Sequence, residues 1–517
     1  MANGAAMILD EQAQTIRFLS RNAGGQSIAV ETVRTHISTV ILTADRAYKL
    51  KRAVRFPYLD FSTPKRRLAA CNAELALNRR TAPGLYLAVR TITRGEDDAL
   101  AFDGPGQLVD AVVEMRLFDQ ESLFDRMAKR KALTPALMTS LARRLAAFHD
   151  AAAISLDQGG ADGIAAVLSI NDASLRATGL VCDADADALE RRFAAVLARH
   201  RPKLDARRDA GKVRRCHGDL MLRNICLIDG EPTPFDCIEF DEAIATIDVL
   251  YDLAFLLMDL WRRDGRDLAN LIFNRYLDAR DETDGLCLLP FFMAIRAIVR
   301  AHVTAAQAAD LPDEQARPLL ADSRGYVDLA QALLTDAKPF LLAIGGFSGS
   351  GKSALTASVA SHLGPPPGAR ILSSDRIRKR LYDVAAEERL PEAAYDTAVS
   401  IAVYSALRQQ AAATLAAGWS VVADAVFDRA PERTALEKIA TDLDVARLGL
   451  WLEAPEATLL ARVAARINDP SDATTCVLRE QLRQGCGEMG WRRLESGGPL
   501  TALRDIALSE CAVLARP

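Results

Sequence analysis

The most specific chemical signal lies in a glycine-rich octapeptide in the second half of the chain. Residues 346–353 read Gly-Phe-Ser-Gly-Ser-Gly-Lys-Ser, which matches G-x-x-x-x-G-K-[ST], a pattern whose glycines let backbone amides turn toward phosphate groups. Lys352 is expected to reach the terminal phosphates of a nucleotide, and Ser353 to hold Mg²⁺. The predicted phosphate-binding residues are Gly346, Ser348, Gly349, Ser350, Gly351, Lys352 and Ser353.

Two aspartates follow short apolar runs further along the chain. Asp375 comes after residues 371–374, and Asp424 after residues 421–423. Parallel strands end at the same edge of a sheet, so both carboxylates are expected to face the glycine-rich loop. Asp375 is predicted to accept a proton from a substrate hydroxyl, and Asp424 to orient Mg²⁺. A helix-capping role is the alternative for either aspartate taken alone.

Two arginines are candidates for a lid over the nucleotide. Arg462 and Arg466 are four residues apart, which places them on one face of a predicted helix, and the polar stretch 468–472 follows them. They are predicted to close over the transferring phosphoryl group. A solvated basic helix face is the competing interpretation.

A second catalytic pattern lies in the first half of the chain. Residues 217–224 read His-Gly-Asp-Leu-Met-Leu-Arg-Asn. Asp219 can align and deprotonate an acceptor hydroxyl, and Asn224 can bind Mg²⁺. Asp236 follows an apolar strand and a turn and supplies a second carboxylate for the metal. His217 is expected to brace the loop, and His149, on an apolar helix face, to be a buried histidine with satisfied hydrogen bonds.

This front pattern resembles the aminoglycoside phosphotransferase and choline kinase superfamily, whose catalytic loop reads H-G-D-x-x-x-x-N. The resemblance implies a strand lysine that pairs the α- and β-phosphates, here Lys49 with Lys51 as the alternate, because both share one strand face. It also implies Glu74 as the partner of that lysine, and Glu114 and Met115 as the hinge that binds adenine. A solvated basic edge strand is the plain alternative for the lysines.

The acids after Asp236 depart from the antibiotic-modifying enzymes. Glu239 and Asp241 lie close to it in the sequence, so Glu239 is a candidate to share metal binding. The departure puts an antibiotic substrate in doubt.

The tail, over roughly residues 338–510, resembles the small P-loop kinases of the gluconate kinase, polynucleotide kinase and zeta-toxin group. Its segment Ser-Ser-Asp-Arg-Ile-Arg is similar to the substrate-acid region of that group, which implies that Asp375 and Arg378 lie near the acceptor. From about residue 28 to 510 the chain resembles bacterial proteins in which an aminoglycoside phosphotransferase is fused to an ATP-binding P-loop domain.

The elements that must position these residues are of mixed α/β and α+β class. Strand-like residues 39–50 form a predicted hairpin, a helical pattern covers 64–80, and alanine-rich helices dominate from about 120 to 335. The tail alternates short apolar runs with helices, as a parallel sheet does. The prediction is a protein-kinase-like bilobal domain over 1–336 (small lobe 28–115, large lobe 116–336) and a P-loop kinase domain with a parallel sheet over 337–517.

Composition limits the partners. The 517 residues carry a net charge of −4, which provides no global positive field for long nucleic acid. The first residues lack the basic end of a signal peptide, and no apolar run is predicted to reach membrane-spanning length. A cytoplasmic location and no membrane partner are expected. The nine cysteines form no C-x-x-C pair and are interpreted as free thiols.

The leading hypothesis is an enzyme with two nucleotide sites, which uses ATP and Mg²⁺ to phosphorylate hydroxyls of small molecules such as a sugar, an amino sugar or an aminoglycoside-like compound. One alternative is a front-domain kinase regulated by a P-loop nucleotide switch. Another is a polynucleotide or zeta-toxin-like kinase in the tail, for which residues 376–380 offer a local basic patch.

Overall fold

The computed structural model describes residues 9–22, 31–35, 37–43, 45–56, 59–309, 311–466 and 470–514. Two compact units divide the chain: residues 1–167 with 199–259, and residues 168–198 with 260–517. The second unit therefore groups residues 260–336 with the tail, whereas the sequence interpretation assigned them to the front domain. The domain boundary at 336/337 stays a prediction.

The first unit opens with a helix, followed by an antiparallel sheet and a second helix that lies between two of its strands in the sequence. Thr63 caps that helix by accepting from the Arg66 amide, and proline occupies its first turn, as is favourable at a helix start. The elements are α1 (Leu9–Asn22), β1 (Glu31–Arg34), β2 (Ser38–Leu42), β3 (Arg46–Lys51), β4 (Arg55–Phe56), β5 (Leu59–Asp60), α2 (Pro64–Asn78), β6 (Tyr86–Arg94), β7 (Leu100–Phe102) and β8 (Gln107–Arg116). The six-stranded sheet has the order β1-β2-β3-β8-β6-β7, so the predicted β2–β3 hairpin and the α2 helix are confirmed.

Helices and short strands follow. They are α3 (Phe124–Lys129), α4 (Pro135–Ala151), α5 (Gly160–Ala177), α6 (Asp183–Asp209), β9 (Val213–Arg215), β10 (Ile225–Ile228), β11 (Glu231–Pro234), α7 (Glu242–Ala245), β12 (Thr246–Asp248) and α8 (Val249–Arg262), with 3₁₀ turns at Gln120–Ser122 and Leu222–Asn224. The pairs β10–β11 and β12–β9 are antiparallel. They frame the loop that carries the His-Gly-Asp motif.

The rest of the chain is helical and then alternates strands with helices. The elements are α9 (Arg266–Ala279), α10 (Leu289–Ala308), α11 (Asp313–Leu333), β13 (Phe340–Gly346), α12 (Lys352–Ala360), β14 (Arg370–Ser373), α13 (Ser374–Leu381), α14 (Thr397–Ala416), β15 (Val421–Asp424), α15 (Ala430–Asp442), β16 (Ala446–Glu453), α16 (Glu456–Ala464), α17 (Thr475–Gln484), β17 (Arg492–Glu495) and α18 (Leu500–Leu514), with 3₁₀ turns at Thr283–Leu288 and Glu392–Tyr395. The five strands form a parallel sheet in the order β14-β15-β13-β16-β17.

The side chains of strand β13 pack into a core on each face of this sheet. All seven of its residues are buried, and successive side chains of a strand point to opposite faces. Phe340, Leu342 and Ile344 pack in one core cluster, whereas Leu341 and Ala343 pack in another. A continuous apolar run is thus the expected sequence of a central parallel strand, and it delivers the glycine-rich loop at the carboxyl edge.

One apolar segment is long enough to cross a membrane. Among the described residues, Thr283–Ala308 passes the test of length and composition, with a hydropathy of 1.7. The prediction that no apolar run reaches that length was therefore wrong. Most of this segment is buried inside the protein, as in a core helix.

Candidate active sites

The catalytic loop of the first unit holds Asp219 by two neighbours from its own motif. Arg223 donates through Nη2 to Asp219 Oδ2 at 2.9 Å, and Asn224 donates through Nδ2 to the same oxygen at 2.8 Å. The Asn224 amide also donates to the Asp219 carbonyl oxygen at 2.8 Å. The carboxylate is thus fixed in orientation before any acceptor binds.

The loop itself is anchored from helix α8. Asp252 accepts hydrogen bonds from the backbone amides of His217 at 3.1 Å and Gly218 at 2.8 Å. His149 Nε2 lies 3.1 Å from Asp252 Oδ2, the oxygen that also accepts from the His217 amide, and the side chains of His149 and Asp252 are fully buried. His149 is therefore a partnered buried histidine, as the sequence interpretation held, and Asp252 is a supporting residue whose role that interpretation missed.

Two lysines of β3 share one buried glutamate. Lys49 Nζ lies 2.7 Å from Glu74 Oε1 and also contacts Asp236, whereas Lys51 Nζ lies 2.5 Å from Glu74 Oε2 and also contacts Glu239. The Lys51 side chain is completely buried, but the Lys49 side chain keeps 13% of its surface exposed. Lys49 is accordingly the lysine that a ligand can reach, and Lys51 is an internal brace.

The charged side chains of this cluster carry one more negative charge than positive charges, which favours binding of a cation. The cluster joins two ammonium groups to the three carboxylates of Glu74, Asp236 and Glu239. Burial alone would raise the pKa of Asp236, but the charge and hydrogen bond of Lys49 outweigh it and lower that pKa to about 2. Asp236 therefore remains ionised at neutral pH, as a metal ligand must be.

The backbone at Asp236 also favours a functional role. Its φ is 64°, in the left-handed region that non-glycine residues rarely adopt. The Tyr86 hydroxyl accepts from the Asp236 amide at 3.2 Å. Because Nδ2 of Asn224 is turned to Asp219, Oδ1 is the side-chain atom of Asn224 that could bind a metal. Asn224 and Asp236 together offer oxygen atoms of the kind that Mg²⁺ prefers.

The two residues predicted to form the hinge lie near the end of strand β8. Glu114 and Met115 are within β8, where they pair with both neighbouring strands. The Glu114 carboxylate accepts from Arg46 and Arg90, both at 3.2 Å, and Met115 is a buried core residue. Because β8 continues to Arg116, the connection to the helical region begins at residue 117. Contact of Glu114 and Met115 with adenine stays a prediction.

In the second unit, the glycine-rich loop has the strand-to-helix setting that its motif predicts. It joins β13 to α12, whose first residue is Lys352. Gly349 and Gly351 have φ values of 82° and 89°, and a side chain on Gly349 would approach the Leu459 carbonyl oxygen to 2.5 Å. The Ser348 amide donates to Gln481 Oε1 at 2.9 Å, so α17 also supports the loop.

Two of the predicted metal-site groups in the tail meet directly. Ser353 Oγ donates to Asp424 Oδ2 at 2.8 Å. Asp424 is the last residue of β15 and is buried, which confirms its place at the carboxyl edge. A hydroxyl and a carboxylate at this distance fit the donor set of a magnesium ion.

Asp375 lies at the same edge, in the first turn of α13. The Ser471 side chain hydrogen-bonds to it, and the positive charges of Lys352, Arg378 and Arg466 act on its carboxylate. Burial is the largest influence and raises the pKa of Asp375 above its ordinary value. The structure thus places Asp375 at the predicted edge of the sheet, and its role as a general base stays a prediction.

The two candidate lid arginines have different surroundings. Helix α16 ends at Ala464, so the prediction that both lie on one helical face was wrong. Arg462 donates to the Ser496 carbonyl oxygen at 2.9 Å and to that of Gly349 at 3.4 Å. It therefore supports the glycine-rich loop from outside, whereas Arg466 lies beyond the helix and acts on Asp375.

The side chain of Arg378, on α13, contacts the chain segment that follows this helix. Its guanidinium donates to the Ala394 carbonyl oxygen at 2.6 Å and lies 4.8 Å from the centre of the Tyr395 ring. The Tyr395 hydroxyl donates to Asp472 at 2.5 Å, and Lys379 lies 2.6 Å from the same carboxylate. These contacts tie together the chain segments around Asp375, and the sequence patterns did not indicate them.

These arrangements define the class of the protein as two kinase-like domains in one chain, which supports a phosphotransferase. Residues 40–286 match the family model described as the phosphotransferase enzyme family, and residues 341–485 match the model described as an AAA domain. The chain therefore carries a phosphotransferase-family domain followed by a P-loop AAA domain, as the sequence resemblance predicted.

Similar proteins span nearly the whole chain. An uncharacterized protein of Mycobacterium tuberculosis is 29% identical over 480 residues, which cover 91% of this chain and 93% of that protein. A protein of Mycobacterium bovis matches to the same extent.

Solved structures match one part of the chain at a time. A gluconokinase from Sinorhizobium meliloti is 21% identical and covers 35% of this chain and 95% of its own, with a TM-score of 0.26. The GDP complex of aminoglycoside 2'-phosphotransferase-IIIa is 14% identical and covers 62% of this chain and 99% of its own, with a TM-score of 0.38. Plasmodium vivax ethanolamine kinase is 12% identical and covers 62% and 85%, with a TM-score of 0.37.

The two lysines of β3 should differ sharply when each is replaced by methionine. Lys51→Met leaves Glu74 and Glu239 buried with less compensation, so we expect a loss of about 3–5 kcal/mol in the free energy of unfolding. Lys49→Met should cost less stability, because Lys51 still pairs with Glu74, but it should weaken nucleotide binding. Denaturant titration and calorimetry measure both. Weak nucleotide binding in a fully stable Lys51→Met variant would reverse the assignment.

Proposed function

We propose that the chain is an ATP-dependent double kinase with one nucleotide site in each half. The supporting observation is that each half gathers three kinds of group at one place: a lysine suited to phosphate, oxygen ligands suited to Mg²⁺, and a separate aspartate suited to accept a proton. Phosphoryl transfer depends mainly on such positioning and charge. A domain that only bound protein partners would have no use for all three groups.

In the front half, Lys49 would bind phosphate oxygens while Glu74 holds its ammonium group in place. Asn224 and Asp236 would hold Mg²⁺, which when bound neutralises charge on the phosphates. Asp219, fixed by Arg223 and Asn224, would orient the acceptor hydroxyl and take its proton. Arg223 keeps a positive charge beside this base.

In the tail, the backbone amides of residues 346–351 and the start of α12 would surround the phosphates. Lys352 would reach the terminal phosphates, and Ser353 with Asp424 would hold Mg²⁺. Asp375 would accept the proton of the second acceptor, and the nearby charge of Arg466 would favour the anionic transition state. Arg462 stays a proposed lid residue, and in the structure it supports the glycine-rich loop through its contact with the Gly349 carbonyl oxygen.

The proposed acceptors are small hydroxylated molecules, such as a sugar or an amino sugar, and the proposed location is the cytoplasm. Asp375 favours this proposal over a tail that only switches the front domain, because a switch does not need a base beside the phosphates. The experiment is a screen of sugars, amino sugars, nucleosides, aminoglycosides and short oligonucleotides for ATP consumption. Each is tested with Asp219→Asn and Lys352→Ala variants of the full chain, which separate the two halves.

Two ATP molecules should bind per chain in the presence of saturating Mg²⁺. Lys352→Ala should remove the tail site and leave the front site, whereas Lys49→Ala should weaken only the front site, because each half has its own phosphate lysine. Isothermal titration calorimetry gives the stoichiometry. A single site in the unmodified chain would contradict the double-kinase proposal.

Two acids of the front half should give different signatures. Asp219→Asn preserves shape and removes charge, so ATP affinity should hardly change while turnover falls by about 10²–10⁴-fold. Asp236→Ala removes a metal ligand and should weaken Mg²⁺–ATP binding as well as turnover. Nucleotide titration beside a phosphate-transfer assay measures both. Loss of nucleotide binding in Asp219→Asn with retention in Asp236→Ala would reverse the two roles.

The tail reaction should have an acid limb set by Asp375, which works as a base only when ionised. Because burial raises its pKa, turnover should fall as the pH drops through a value above that of an ordinary aspartate, about 3.9. The measurement is tail turnover against pH in an Asp219→Asn background. Asp375→Asn should retain ATP binding and lose turnover by about 10²–10⁴-fold. Unchanged turnover in Asp375→Asn would overturn the assignment of Asp375 as the base.

A further inference from the structure

Helix α9 presents a row of polar side chains to the P-loop fold within the second unit. Asp267, Asn270, Asn274 and Asp278 are spaced by three or four residues, which places them on one face of the helix. Asp267 accepts from Ser361 Oγ at 2.6 Å, and the other three contact residues 367–380. An ordinary core-facing helix would carry apolar residues at these positions.

The side chains of Asn270 and Asn274 form the hydrogen bonds that a further strand would form at the edge of the sheet. Strand β14 lies at the edge of the parallel sheet, and an edge strand leaves backbone groups without a strand partner. Asn274 Oδ1 accepts from the Ile371 amide at 2.7 Å, and its Nδ2 donates to the Ala369 carbonyl oxygen at 3.2 Å. Asn270 Nδ2 donates to the carbonyl oxygens of Pro367 and Ala369, both at 3.0 Å.

Asp278 continues this contact into the helix that bears the proposed base. Its carboxylate lies 2.8 Å from Arg370 and 3.8 Å from Arg376, and its carbonyl oxygen accepts from Arg380 at 3.4 Å. Arg370 begins β14, and the other two arginines lie on α13 on either side of Arg378. Strand β14 and helix α13, which position Asp375, are therefore both bound to the last turn of α9.

An apolar contact completes the attachment. The ring of Phe273 on α9 lies 5.7 Å from that of Trp419, and Trp419 Nε1 donates to the Gly368 carbonyl oxygen at 3.1 Å. Both aromatic side chains are buried. The loop before β14 is thus held from the helix side and from the sheet side.

We propose that Asn274 and Asp278 are positioning residues of the tail kinase, and that α9 forms a working part of its acceptor side. The proposal rests on the proposed tail function. Asn274 and Asp278 make their contacts with this part of the fold at residues 369–371 and on α13, whereas Lys352, Ser353 and Asp424 make their described contacts elsewhere. These two residues of α9 therefore set where Asp375 stands relative to the nucleotide, rather than whether the nucleotide binds.

The test uses the full chain with Asp219→Asn, so that ATP consumption reports the tail. Asp278→Asn removes the carboxylate charge that pairs with Arg370 and Arg376, and Asn274→Ala removes the side chain that bonds to the backbone of residues 369 and 371. A displaced base slows transfer, so kcat should fall by about 10- to 100-fold while the KM for ATP stays within about twofold. Asp278→Glu should recover part of kcat. Asp264→Asn, an exposed position just before α9, is the matched control.

The kinetic outcomes separate positioning from general support. Equal kcat values in Asp278→Asn and the Asp264→Asn control would overturn the proposal. A rise in the KM for ATP that matches the loss in kcat, with no recovery in Asp278→Glu, would also overturn it, because it would indicate that the substitution disturbs the nucleotide site itself.

Hydrogen exchange gives an answer that does not depend on tail turnover. In the full chain, Asn274→Ala should speed exchange of the Ile371 amide by about 3- to 10-fold, because one protecting hydrogen bond is lost. Unchanged exchange at Ile371 would overturn the positioning role. If the parent chain shows no tail turnover with any acceptor, the proposed function fails separately, and this exchange result still decides whether α9 holds the strand.

Discussion

The front site depends on one buried carboxylate that must serve two ammonium groups. Glu74 is completely buried between Lys49 and Lys51, and a charge in that position is stable only when it is paired. Burial alone would raise its pKa, but the two lysines outweigh burial and lower it. Because helix α2 supplies the glutamate and β3 both lysines, the charged network fixes the helix against the sheet and brings Lys49 to Asp236. The catalytic groups gather around that constraint.

Local patterns were enough to predict much of this molecule. Gly346 to Ser353 and His217 to Asn224 have strict spacing because each motif must place several groups within one turn of chain, so their loops were predictable. The alternation in β2 and β3 likewise predicted the hairpin. Asp375 and Asp424 could be located because parallel strands end at one edge, and the structure places both there.

Other features depend on contacts between distant residues, and no short pattern encodes them. Asp252 holds the His217 amide from 35 positions away, and it reads in the sequence as an ordinary acid of an apolar helix. The separate duties of Lys49 and Lys51 follow from depth of burial, which an alternating strand does not reveal. The end of α16 before Arg466 was missed because no glycine or proline marks it. The edge strand β17, Arg492–Glu495, is charged at three of its four residues and gave no apolar signal.

The asparagine pair on α9 has a consequence for how such a gene can be divided or joined. A P-loop domain cut from the chain just before β13 would lose the side chains that cover the edge of its own sheet at Ile371. A segment that keeps this cover must therefore begin at or before residue 266, where α9 starts. A fusion made between α11 and β13 would leave the edge of the sheet uncovered.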